Sequence, residues 1–105
     1  MKEAVLQNRI KKSLTDNNCI VYKFVSPAQR GVPDLVVLTH NGVVFFLEVK
    51  QPGLKATVHQ QFHIDRINDQ NVFATTVTSV AEALSALEDA NMLANPAPVW
   101  QKDGT

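Results

Sequence analysis

Two carboxylates, a lysine and a glutamine stand in this chain where an apolar core would otherwise be expected. Asp34 follows Pro33 at the entrance to one apolar run, Glu48 and Lys50 flank Val49 at the end of another, and Gln60 comes ten residues later. The two runs, Leu35–Leu38 and Val43–Val49, are rich in β-branched residues and are joined by His40-Asn41-Gly42. Asn-Gly favours a tight hairpin, so the runs are expected to pair. Side chains alternate across a strand, which puts Glu48 and Lys50 on one face. The hairpin brings Asp34 towards Glu48. Taken singly, an Asp before a strand is a turn residue and Glu-x-Lys is a solvated strand face. Here the pair ends a run of Val44, Phe45, Phe46 and Leu47, where unpartnered charges are costly. Two carboxylates and a lysine in such a place make a site for a hard cation with a proton-handling neighbour.

These residues carry a resemblance. Gly31-Val32-Pro33-Asp34, then Glu48-Val49-Lys50 with Pro52-Gly53, preceded by Glu3 and followed by Gln60, resembles the VRR-NUC branch of the PD-(D/E)XK nuclease superfamily. The resemblance extends from about Glu3 to the 72–78 stretch. It implies a restriction-endonuclease-like core and a metal-dependent DNA endonuclease. It further implies that Asp34, Glu48, the Val49 carbonyl and Glu3 hold Mg²⁺ or Mn²⁺. Lys50 would orient the attacking water and Gln60 would organise its surroundings. Small stand-alone members imply a homodimer acting on branched DNA such as four-way (Holliday) junctions. A restriction-like or repair nickase of the same superfamily, or a non-catalytic DNA-binding module with the same fold, are the competing readings. A location in the bacterial cytoplasm, with a bacterial or phage gene, is expected.

The elements that must position these groups are legible in outline. Leu6, Ile10 and Leu14 recur at helical spacing in residues 2–17, with Glu3 one turn ahead on the same stripe. Asp16-Asn17-Asn18 ends that helix, and Cys19–Val25 is a first strand. A second helix is expected from an N-cap at Thr57 to about Asn68, with Gln60, Ile64 and Ile67 on one stripe and Val58 and Phe62 opposite. Gln61 sits about 100° around the helix from Gln60, so Gln60 is the glutamine expected at the site. A strand at 72–78 and a helix opened by a Ser79/Glu82 capping box complete the order α-β-β-β-α-β-α, a mixed sheet flanked by helices. That helix is expected to bury Val80, Ala83, Leu84 and Leu87. Residues 1–94 form one domain, and 95–105, with Asn95-Pro96-Ala97-Pro98 and the apolar pair Val99-Trp100, an irregular tail. Val99-Trp100, Val58 and Phe62 are candidate interface residues.

Composition narrows the chemistry. The 105 residues suffice for one domain with one core. The single Cys19 excludes an intrachain disulfide and argues against a thiolate zinc site. His59 and His63 are four apart but lack a nearby third nitrogen or sulfur ligand, so they are read as phosphate or structural contacts. Nothing in the sequence resembles a membrane span or a signal peptide. The net charge of zero divides unevenly, with eight basic and four acidic residues in 1–55 against two basic and six acidic in 56–105. The candidate site thus lies in the basic half, as a polyphosphate substrate requires. Arg30, Lys55, Lys11, Lys12 and His63 are the expected nucleic-acid contacts.

Overall fold

In a computed structural model that describes residues 2–93, seven elements follow in order. They are α1 (Glu3–Asp16), β1 (Ile20–Lys23), β2 (Leu35–Leu38), β3 (Val44–Val49), α2 (Val58–Asp69), β4 (Phe73–Val77) and α3 (Val80–Leu93). The order and type of every element match the sequence expectation; β2 has the expected bounds, and the other three strands are shorter by one to three residues. The 95–105 tail, Val99-Trp100 included, lies outside the described residues.

The sheet order is β1-β2-β3-β4, antiparallel through the first three strands and parallel between β3 and β4. The parallel step is the one bridged by a helix, α2, as parallel pairing demands. The β2–β3 hairpin pairs Leu35 with Leu47 and Leu38 with Val44. Its loop is the three-residue His40-Asn41-Gly42, closed by the Thr39 N–H donating to the Val43 carbonyl (2.8 Å) and the Gly42 N–H to the Thr39 carbonyl (3.1 Å). Only Gly42 in it has positive φ (+83°), so this is a turn followed by a left-handed glycine rather than a two-residue Asn-Gly turn.

One sheet face forms the core. Leu35, Val37, Phe45, Leu47, Val49 and Val77 point to it, and α1 covers it with Leu6, Ile10 and Leu14. α3 lies beside α1 on this face, against β3 and β4, and its buried line is Ala83, Ala86 and Ala90, with Val80, Leu84 and Leu87 only partly buried. The small side chains let α3 lie close against α1. Its cap also differs from expectation. Ser79 Oγ accepts the Glu82 N–H (3.0 Å), but the Glu82 carboxylate turns back one residue further, to the N–H and hydroxyl of Thr78.

The opposite face, by strand alternation, carries Asp34, Val36, Phe46, Glu48, Ala74 and Thr76. α2 packs against β4, pinned at its far end by Asn68, whose amide bonds both the N–H (2.9 Å) and the carbonyl (3.1 Å) of Ala74. Ile64 is its buried residue, while Val58 and Phe62 are exposed. The helical phase read from the sequence is the observed one.

Candidate active site

Asp34 precedes β2 by one residue, so continuing the Leu35–Leu47 register places it opposite Glu48. There the strands begin to separate, and a side chain replaces a backbone partner: Asp34 Oδ2 accepts the Val49 N–H at 2.8 Å. Glu48 is 1% exposed, the buried charged residue of the described chain. Carboxylate oxygens of Glu3, Asp34 and Glu48 lie within 4.8 Å of one another. The first turn of α1 therefore delivers Glu3 to the same point as the hairpin.

The electrostatics follow from this crowding. Burial first, then the Asp34 charge and hydrogen bonding to the Asp34 side chain, push the Glu48 carboxyl up to about 8. The Lys50 ammonium opposes the shift and Glu3 adds a little to it. One Glu48 oxygen, Oε2, accepts from the Gln60 side-chain amide at 3.1 Å. The other, Oε1, is buried without a hydrogen-bond donor among the described residues. Three converging carboxylates, one with a buried free oxygen, fit an oxygen-seeking divalent cation.

Gln60 is held from both ends. Thr57 caps α2 by accepting the Gln60 N–H (3.2 Å), while Gln60 Oε1 accepts the Thr57 N–H (2.8 Å). This Thr-x-x-Gln capping box leaves only the amide NH₂ of Gln60 to reach Glu48. Gln61 pairs with Asp65 on the exposed side (2.8 Å). A further constraint comes from Gly31. A Cβ there would lie 2.7 Å from the His59 carbonyl carbon and 2.9 Å from the Gln60 nitrogen, and its φ is +80°. The loop before Asp34 thus rests directly on the backbone of the first turn of α2.

Comparison with known proteins follows the same lines. A VRR-NUC domain family model matches residues 2–81. The chain belongs to the VRR-NUC family. "Putative nuclease p44" of Acyrthosiphon pisum secondary endosymbiont phage 1 is 40% identical over 60 residues, 57% of this chain and 64% of that protein. The chain therefore aligns with somewhat less than two thirds of that relative. Among solved structures, a "VRR_NUC domain" is 26% identical with a TM-score of 0.74, covering 82% of this chain and 94% of the other. A second, "VRR_NUC domain protein", shares the fold at 16% identity and a TM-score of 0.70, covering 90% of this chain and 92% of its own.

The remaining expected contacts of this VRR-NUC chain are spread more widely. Arg30 is exposed beside Gly31, and Lys55 is exposed in the turn before α2, lining a groove with Thr57 and Thr76. Lys11 and Lys12 stand two turns along α1, roughly 12 Å from Glu3 along the axis. Lys12 there pairs with Asp16 at 3.1 Å on the exposed surface. His63 lies over an adjoining cavity with its ring edge-on to Phe62 (5.3 Å), and neither it nor His59 joins the carboxylate cluster. The Thr57–Gln60 box, the Gly31 contact and the Asp34–Val49 bond were missed by sequence reading. Only the first has a local signal, Thr-x-x-Gln.

Proposed function

We propose that this chain is a metal-dependent endodeoxyribonuclease that hydrolyses phosphodiester bonds. The observation that carries it is the Glu3–Asp34–Glu48 cluster, with a buried Glu48 oxygen that lacks a donor among the described residues. Asp34, Glu48 and Glu3, with the Val49 carbonyl, would hold Mg²⁺ or Mn²⁺. When bound, such an ion supplies charge neutralisation at the phosphate and an activated water. The chain's own groups do the rest. Glu48, raised by burial and by its neighbour Asp34, would release its proton to make a ligand for such an ion. Lys50, beside Glu48, holds the water in line and meets negative charge developing on the phosphate. Gln60 fixes the orientation of the Glu48 carboxylate through Oε2.

For substrate, we infer DNA, with a preference for four-way junctions cut by a homodimer. Paired nicks need two symmetric sites, and a two-fold dimer of a small chain provides them. Leu54, Val58 and Phe62, exposed on and just before α2, are the interface candidates in the described chain. The deciding experiment incubates labelled four-way and linear DNA with the chain, with Mg²⁺, Mn²⁺ or chelator, and measures mass by light scattering. Junction cleavage by a dimer that stops in chelator is the expected result. Cleavage persisting in chelator would overturn the metal role. A monomer that nicks linear and branched DNA equally would indicate a nickase instead.

A further inference from the structure

The sheet face that carries the carboxylates continues into a second feature. Between α2 and the segment leading to β2 lies an open cavity of about 470 Å³, within the range of small-ligand sites. Phe24 and Phe46 line it, their rings tilted with centroids 5.7 Å apart. Gln29, His63, Arg66 and Gln70 contribute polar side chains to its wall. The Arg66 guanidinium is steadied beside it, 5.5 Å from the Phe62 ring centroid.

The walls of this cavity and the carboxylate cluster share β3, α2 and the segment leading to β2. Phe46 precedes Glu48 by two residues on the same face, about 7 Å along the strand. The Phe24 N–H donates to the Asp34 carbonyl at 2.7 Å. His63 follows Gln60 by one helical turn, and Val32, in the wall, precedes Asp34 by two. One nucleotide spans a comparable distance, so a strand with its phosphate at Asp34 and Glu48 has a neighbouring base within reach.

The lining chemistry matches an unstacked base. Aromatic faces receive its π-surface, while amides and a guanidinium at the wall meet its hydrogen-bonding edge. A base still paired and stacked in a duplex offers neither its π-face nor its Watson–Crick edge. We propose that this cavity binds one unpaired nucleobase of the DNA next to the scissile phosphate. The inference rests on the nuclease reading and adds a reason for preferring branch points and flaps, where a base leaves its pair and stack more readily than inside linear duplex.

The test separates the two. In chelator, where no cleavage occurs, the ring signals of His63, Phe24 and Phe46 are followed by NMR. The probes are deoxyadenosine 5′-monophosphate and deoxyribose 5-phosphate. The nucleotide should shift these signals saturably, with the sugar phosphate about tenfold weaker or more. Arg66→Ala and Phe24→Leu, the second keeping apolar bulk without a π-face, should each weaken the nucleotide. Equal shifts from both probes would mean a simple anion site and overturn the proposal, as would no shift from the nucleotide. In the cleavage arm, an abasic site beside the cut should lower kcat/KM, and equal cutting of abasic and intact DNA would also overturn it. Failure to cut any DNA with Mg²⁺ or Mn²⁺ strikes the nuclease reading, and the binding arm then decides the cavity by itself.

Discussion

Asp34 performs two tasks, and they separate by substitution. Its carboxylate faces Glu48 and Glu3, and its Oδ2 also takes the buried Val49 N–H. Asp34→Ala removes the repulsion but orphans that N–H, a loss of about 1–3 kcal/mol. Asp34→Asn keeps an acceptor for Val49 while removing the negative charge. Urea denaturation should therefore show the Asn variant at least as stable as the parent and the Ala variant less so. Both should lose cleavage. Equal stability of the two variants would show that the Val49 bond contributes little. For Glu48, the sign of the pH effect is fixed by its carboxyl being raised to about 8 from an ordinary 4.5. Between those values the folded chain holds a proton that the unfolded chain releases. The metal-free chain thus has the full contribution of this proton below about 4.5 and loses it as pH rises through 8. Within that window the loss runs at about 1.4 kcal/mol for each step of one in pH. Glu48→Gln, which mimics the protonated form, should flatten that fall. A parent chain with no loss between pH 5 and 8.5, roughly the window set by these values, would show that Glu48 is not held neutral.

At the scale of elements, the site depends on how the loop before β2 meets α2. Gly31 lies against the backbone of His59 and Gln60, so any Cβ must push the first turn of α2 outward. Gly31→Ala should lengthen the Gln60–Glu48 contact and reduce cleavage at least tenfold, with a modest stability cost from its φ of +80°. Unchanged cleavage would show that α2 can shift without disturbing the carboxylates. This contact explains where sequence reading stops. Periodicity locates the helices and strands because burial on one face imposes it, and alternation puts Asp34, Glu48 and Lys50 on one face for the same reason. The Leu6–Leu14 stripe likewise carries Glu3 to the sheet. Gly31 against His59 is a tertiary approach between segments twenty-eight residues apart, and no local pattern encodes it. Hydrophobicity alone points to the leucines of α3 rather than its alanine line, because it ignores how closely α1 approaches. The Phe24–Phe46 cavity escapes because its walls come from separate elements.

At the scale of the whole molecule, the carboxylate cluster is a local debit that a bound cation would reverse. Among the described residues no helix is long and apolar enough to cross a membrane, and stability rests on one core beneath a four-stranded sheet. A cation that binds only the folded chain adds RT ln(1 + [L]/Kd), about 2.7 kcal/mol at a hundredfold excess over Kd. In a chain of this size each kcal/mol moves Tm by about 4–8 °C. Mn²⁺ or Mg²⁺ at that excess should therefore raise Tm by on the order of 10 °C. The rise should grow from pH 6 to pH 8, because below about 8 the cation must displace the proton that Glu48 retains. Asp34→Asn and Glu48→Gln should each abolish most of the rise, while Lys50→Ala should leave it intact and still lose turnover. Scanning calorimetry over a metal series at both pH values measures all four chains. A rise of the same size in Glu48→Gln would place the cation elsewhere on the molecule and remove the buried cluster from the mechanism.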